Sequence, residues 1–252
     1  MTATARSTDM TDDTPTTFVL VPGAGGEAWF WHLLVPQLRA LGHDAVTMDL
    51  PAGDERAGLD EYAEVVLAAL PPAGGRTVVV GQSMGGLTAT LVAARAPVDM
   101  LVLLNAMVPR PGETPGEWWT NTGFDQAREA EAARHGDDPG DVMAAFFHDV
   151  PDAVRVAAEE RGDPEQTATP FALPWPLDAW PNVPTRFLQG RDDRFFPLAF
   201  QQAQVADRLG IEVDEMAGGH LVALSRPAEL AARLDAYAAE LTEALRATGS
   251  RS

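Results

Sequence analysis

The sequence contains no cysteine and no lysine. The first absence excludes disulfides, thiolate metal sites and a cysteine nucleophile. The second makes all 18 basic residues arginine and removes any lysine base or Schiff-base former. Positive charge is scarce as well: 37 acidic residues give a formal charge of −19, which argues against nucleic acid as a partner. No run approaches the roughly 18 apolar residues needed to cross a bilayer. The first 17 residues, rich in Thr, Ser and Asp, hold no apolar stretch that would serve as a secretion signal. Residues 1–17 therefore read as a disordered leader, and the protein as cytoplasmic, with no membrane partner. What remains of the 252 residues, 46% hydrophobic overall, is enough for one large domain carrying an insertion or for two small domains.

Phe18–Val21 is a short apolar run closed by Pro22-Gly23-Ala24-Gly25-Gly26, as for a buried parallel strand ending in a tight loop. A helix is predicted from Trp29 to Leu41 and a strand from Ala45 to Leu50. Leu59, Tyr62, Val66 and Leu70 then mark one face of a helix. A strand at Thr77–Val80 runs into Gly81-Gln82-Ser83-Met84-Gly85-Gly86, followed by a helix to Ala94 and a strand at Met100–Leu104. Beyond Pro109 the alternation stops. It resumes with a strand at Thr185–Gln189, a helix at Phe196–Leu209, a strand at Ile211–Met216 and a long helix from Ala228. On that helix Leu230, Leu234, Tyr237, Leu241 and Leu245 form one apolar stripe. This order predicts an α/β protein with a doubly wound, mostly parallel sheet. Residues 18–110 and 185–252 supply its core, and residues 111–184 a helical cap insertion with pieces near 124–135, 140–148 and 152–161.

A serine hydroxyl is a poor nucleophile unless it is held rigidly, exposed, and close to a base. Ser83 lies on a strand-turn-helix whose flanking positions, Gly81 and Gly85, are small enough for a sharp and strained turn. The helix behind it directs amides and a positive dipole end toward developing negative charge, which makes the Met84 N–H an oxyanion donor. The loop after the first strand offers a second donor, the Ala24 N–H. That glycine loop lacks both the G-x-G-x-x-G spacing and the lysine of nucleotide sites. Of five histidines, His32, His43, His135 and His148 lie in a helix, a turn or the insertion and read as packing or surface residues. His220 follows Ala217-Gly218-Gly219 directly after the last strand, on the sheet edge that Ser83 occupies, and reads as the base. Its supporting carboxylate comes from Gly190-Arg191-Asp192-Asp193-Arg194-Phe195-Phe196-Pro197, where two adjacent acids compete.

These motifs identify a resemblance to the α/β-hydrolase fold family, running from Phe18 to Ala247. The family pattern G-x-x-D-x-h-h-P, with h hydrophobic, matches Gly190, Asp193, Phe195, Phe196 and Pro197, and so implies Asp193 rather than Asp192. Phe18 to Gly26, with Trp29 and Trp31, is similar to the small esterase and hydroxynitrile-lyase branch. Two positions depart: the usual His-Gly of the first loop is Pro22-Gly23, and the usual His before the nucleophile is Gln82, so the loop must be supported differently. The resemblance implies an ester hydrolase working through an acyl-enzyme on a small, partly apolar ester, with no metal or organic cofactor. A thioesterase of a biosynthetic pathway is the nearest alternative. A lyase is disfavoured because its plant-type version uses a lysine near the site, and a ligand-binding receptor retaining a slow triad is the third reading. Trp118, Trp119, Phe146, Phe147, Phe171, Trp175 and Trp180 are the candidates to line an apolar pocket.

Overall fold

The computed structural model describes residues 15–249. Residues 1–14 of the expected leader lie outside the described residues, but its end does not: β1 begins at Thr16. Thr16 and Thr17 pair with Arg76 and Thr77, so they belong to the sheet. The six strands are β1 (Thr16–Val21), β2 (Asp44–Thr47), β3 (Arg76–Gln82), β4 (Met100–Leu104), β5 (Thr185–Gly190) and β6 (Val213–Met216). All five pairings are parallel, in the order β2-β1-β3-β4-β5-β6. The chain winds outward from β1 to β2, then crosses to β3 on the other side and continues to β6. The crevice at this reversal, between the C-terminal ends of β1 and β3, is where such sheets bind ligands.

The period-2 geometry of a strand sends alternate side chains to opposite faces, and both faces are covered. Val19, Val21, Val79, Leu101, Leu103 and Phe187 pack with α2 (Leu59–Ala69), α3 (Gly85–Arg95) and α9 (Leu198–Arg208). Phe18, Leu20, Val78, Val80, Val102 and Leu188 pack with α1 (Leu34–Ala40) and α11 (Pro227–Gly249). That double burial is why β3 and β4 read as unbroken apolar runs rather than alternating ones. On α11 the stripe Leu230, Leu234, Tyr237 and Leu241 is buried, whereas Leu245 is 46% exposed.

Several predicted elements are shorter than expected: β6 begins at Val213 rather than Ile211, α9 spans Leu198–Arg208 rather than Phe196–Leu209, and two elements near the start of the sheet differ more. The helix expected over Trp29–Leu41 is a 3-10 turn at Ala28–Trp31 followed by α1, which starts at Leu34 and so keeps Pro36 in its first turn. An earlier start would have set the proline ring against the carbonyl one turn back. The strand expected to reach Leu50 stops at Thr47, because Asp49 and Leu50 turn away to bond the loop after β1: Ala28 N–H donates to Asp49 Oδ1 at 2.8 Å and Leu50 N–H to the Gly26 carbonyl at 2.7 Å.

Between β4 and β5 the chain forms α4 (Pro115–Thr122), α5 (Phe124–His135), α6 (Val142–Phe147), α7 (Asp152–Arg161) and α8 (Thr169–Ala172). The sequence reading missed α4, although its start is signalled by Thr114, Pro115 and Glu117. The Thr114 hydroxyl accepts the Glu117 N–H while the Glu117 carboxylate accepts the Thr114 N–H, a reciprocal cap. The last elements are β6, α10 (Val222–Ser225) and α11. Among the described residues no helix is long and apolar enough to cross a membrane.

Candidate active site

Ser83 follows β3 with φ at +54°, a left-handed conformation costly for a residue with a Cβ. The turn is tight on both sides. A Cβ on Gly81 would lie 2.6 Å from the Gly85 carbonyl oxygen, and one on Gly85 would lie 2.3 Å from the Pro22 carbonyl oxygen. The backbone therefore closes only with glycine at both positions, as the motif required. Among the described residues the other left-handed residue besides glycine is Asn105 (φ +46°), just after β4. It is fully buried and ties three segments together: its Oδ1 accepts the Gly190 N–H at 2.7 Å, and its Nδ2 donates to the carbonyls of Gly219 and His220.

The loop between β6 and α10 brings His220 to this edge. Its Nε2 stands 3.1 Å from Ser83 Oγ and its Nδ1 stands 2.9 Å from Asp193 Oδ2, with the ring 1% exposed. Asp193 is equally buried and well supplied with donors. Its Oδ1 accepts the N–H groups of Phe195 and Phe196 at 2.8 and 2.9 Å, and Gln189 Nε2 donates to its Oδ2. Asp192, one residue earlier, is exposed and accepts the Gly218 N–H instead. The choice between the adjacent acids is thus geometric: alternate side chains leave a turn in different directions, and only one of them faces the imidazole.

Gly23 sits against the serine, and Ala24 follows it in the same loop. A Cβ on Gly23 would be 2.7 Å from Gln82 Oε1 and 3.1 Å from Ser83 Cβ. Gly23 and Ala24 both line the same cavity as Ser83 and His220, and Met84 follows Ser83 as the residue capping the start of α3. The support for the loop, left open by Pro22-Gly23 and Gln82, comes from elsewhere. Gly25 N–H donates to Gln166 Oε1 at 3.0 Å, and Gln82 Nε2 donates to the His220 carbonyl at 3.3 Å. Gln166 lies in the segment between β4 and β5, and no local signal in the sequence pointed to it.

The cavity over Ser83 measures about 560 Å³, within the usual range for small-molecule sites. Trp29, Phe30, Phe146, Phe147, Val150 and Leu221 form its apolar walls, and the charged Arg155, Arg161, Glu27 and Asp163 also line it. Of the aromatic candidates, Phe146 and Phe147 line it. Trp118, Trp119 and Trp175 do not: they pack with the core on the α9 side of the sheet. Trp118 is 1% exposed among Phe124, Phe196 and Phe200 and donates its indole N–H to the Val108 carbonyl. Trp118 and Trp119 on α4 face Phe124 and Phe196, whereas residues 141–164 roof the cavity. Phe171 and Trp180 are likewise packed against the core rather than set in the wall.

Three of the other histidines are engaged elsewhere: His32 with the Trp29 carbonyl, His43 with Asp235 and His135 with Glu131. His148 departs from its bland reading, since it lines the cavity next to the His220 loop. Burial pushes its imidazole below the ordinary value and Arg194 adds to this, against the opposing pull of Asp149 and Asp193.

Comparison with known proteins agrees with this architecture. Residues 18–233 match the family model described as the Alpha/beta hydrolase family. A probable esterase of rice (Oryza sativa subsp. indica) is 40% identical over 110 residues, spanning 39% of this chain and 42% of the rice protein. Norfluorocurarine synthase 1 of a Strychnos species is 26% identical over 84% of this chain and 91% of its own length. Among solved structures, a pyrethroid hydrolase from Sphingobium faniae JZ-2 superposes with a TM-score of 0.70 at 23% identity, covering 91% of this chain and all of that one.

Proposed function

The chain belongs to the alpha/beta hydrolase family, and from that premise we propose that it hydrolyses carboxylic esters through an acyl-enzyme formed on Ser83. The observation that carries this reading is the unbroken relay from Ser83 Oγ through His220 to Asp193, at 3.1 and 2.9 Å, opening on an apolar cavity. The rice relative's description as a probable esterase supports the same class.

In this mechanism Ser83 Oγ attacks the ester carbonyl carbon as its proton passes to His220 Nε2. Asp193, on Nδ1, fixes the tautomer that leaves Nε2 free to accept and stabilises the imidazolium that results. The carbonyl oxygen becomes an oxyanion held by the Ala24 and Met84 amides. The C–O bond then breaks, the alcohol leaves with the proton from His220, and the acyl group remains on Ser83. Water, deprotonated by His220, attacks the acyl carbon, and collapse releases the acid and restores the hydroxyl. The walls of Trp29, Phe30, Phe146 and Phe147 suit an ester with an apolar part, and the helices over residues 141–164 act as the cap.

A fluorophosphonate probe and a panel of p-nitrophenyl esters and matched thioesters test the reading. Stoichiometric labelling of Ser83 with turnover of the esters is expected. Labelling without turnover would reduce the protein to a binder, and turnover of thioesters alone would move it to the thioesterase class.

A further inference from the structure

The loop that carries His220 is held from two directions. From the sheet edge, Asn105 Nδ2 donates to the carbonyls of Gly219 and His220 at 3.0 Å each, and Asp192 accepts the Gly218 N–H at 2.9 Å. From the segment roofing the cavity, Asp149 Oδ2 accepts the Gly219 N–H at 2.7 Å. The same segment reaches the ring itself. Phe146 lies flat on the imidazole, with centroids 4.8 Å apart and planes 12° from parallel.

These two contacts form one unit. The Val150 N–H bonds the Phe147 carbonyl and closes the turn after α6 between Phe146 and Asp149. Phe147 and Val150 then bury themselves against Leu221 and Leu224, just beyond His220, as a small separate apolar cluster. The fit allows no slack: a Cβ on Gly219 would lie 2.6 Å from both Asp149 Oδ1 and His148 Nε2. That Asp149 oxygen is buried without a protein partner, a cost that packing alone would not require.

The imidazole nitrogens are committed to Asp193 and Ser83, so alignment of the base depends on the height of its loop and the plane of its ring. Phe195 and Phe196 meet the ring at steep angles, at 5.1 and 5.3 Å, and leave its flat face to Phe146. We propose that Phe146 and Asp149 are positioning residues for the general base, setting the ring plane and the loop height, so that His220 is aligned only when the roof of the cavity is seated. The proposal rests on the esterase reading above and extends it: the roof completes the catalytic geometry as well as enclosing substrate.

The test compares Asp149→Ala, Asp149→Asn and Phe146→Leu with the unaltered protein, measuring kcat and KM on a p-nitrophenyl ester and the rate of Ser83 labelling by a fluorophosphonate. Asn keeps an oxygen acceptor for the Gly219 N–H, whereas Ala removes it. Asp149→Ala is expected to lower kcat about 10- to 100-fold with little change in KM, since small misplacements of a catalytic group cost factors of this size. The labelling rate should fall in step. Asp149→Asn is expected to stay within about 3-fold, and Phe146→Leu to lose about 3- to 10-fold in kcat and in labelling rate, beside any change in KM from its place in the cavity wall. A kcat unchanged in Asp149→Ala, or an Asn variant as impaired as the Ala variant, overturns the proposal. If Asp149→Ala does not fold, Phe146→Leu decides alone, and an unaltered kcat there overturns it. Failure of the unaltered protein to label or turn over would instead sink the esterase reading.

Discussion

Replacing Asp193 by Asn removes one proton acceptor and almost no volume, yet the surroundings dictate a large effect. The Oδ1 position accepts two backbone N–H groups, from Phe195 and Phe196, at 2.8 and 2.9 Å. An Asn must put its carbonyl oxygen there, since an NH2 group would face two donors in a site 1% exposed. Its NH2 then occupies the Oδ2 position, pointing at His220 Nδ1 and toward Gln189 Nε2, which donates to that oxygen in the native site. Nδ1 can answer a donor only as an acceptor, so the imidazole proton moves to Nε2. That is the nitrogen which must take the proton of Ser83. The expected loss in kcat is about 10³- to 10⁴-fold, the size of effect known for a triad forced into the wrong tautomer. It corresponds to about 4–5.5 kcal/mol of transition-state stabilisation. Asp192→Asn is the control. Asp192 is exposed and holds only the Gly218 N–H, which an amide oxygen can still accept, so its loss should stay below about 5-fold. Steady-state hydrolysis of a p-nitrophenyl ester near pH 8, with thermal melts to show that both variants fold, gives the comparison. A loss below 10-fold for Asp193→Asn, or similar losses for the two variants, would refute the tautomer argument and the choice of acid together.

Ser83→Ala should abolish turnover, by a factor on the order of 10⁶, while the fold persists; retained activity would mean that another group is the nucleophile. Gly85→Ala places a Cβ 2.3 Å from the Pro22 carbonyl oxygen, backbone that cannot step aside, and should cost at least about 2–3 kcal/mol in chemical denaturation or prevent folding. Glu113→Gln leaves the Arg208 guanidinium, 1% exposed, without its buried counter-charge, and should destabilise by about 3–5 kcal/mol. Burial acts to raise the Glu113 carboxyl, but Arg208, Asn121 and the Arg110 N–H together hold it below the ordinary carboxylate value. The native advantage over Glu113→Gln is therefore full above the ordinary carboxylate range and shrinks as pH falls below it. A difference that does not narrow in acid would contradict that sign.

The parts of the site legible in the sequence are those written in local backbone geometry. Gly81 and Gly85 announce a turn that admits no Cβ, the Val78-Val79-Val80 run announces a strand buried on both faces, and the two glycines before His220 announce a loop able to bend back. Each is a short-range constraint that the sheet then carries to one edge. The aromatic residues between β4 and β5 carry no such constraint. Trp118 on α4 and Phe146 on α6 have the same local pattern, yet one is packed against Phe200 of α9 and the other is stacked on His220. Which way each faces depends on how its helix docks, and docking is decided by partners far away in sequence. The same holds for the polar supports. Gln166 reaches Gly25 across 141 positions, and Asn105 reaches Gly219 across 114. Only Asn105 left a trace, as an Asn after a strand, where a left-handed residue is tolerated. On the proposed reading the consequence is chemical as well as descriptive: the candidate catalytic residues follow strand ends and are placed by backbone rules, while their supports come from Asn105 after β4 and from the roof. A substitution in the roof can therefore change the rate without touching the triad, and its effect has to be read from contacts to Gly25, Gly219 and the imidazole face rather than from the motif.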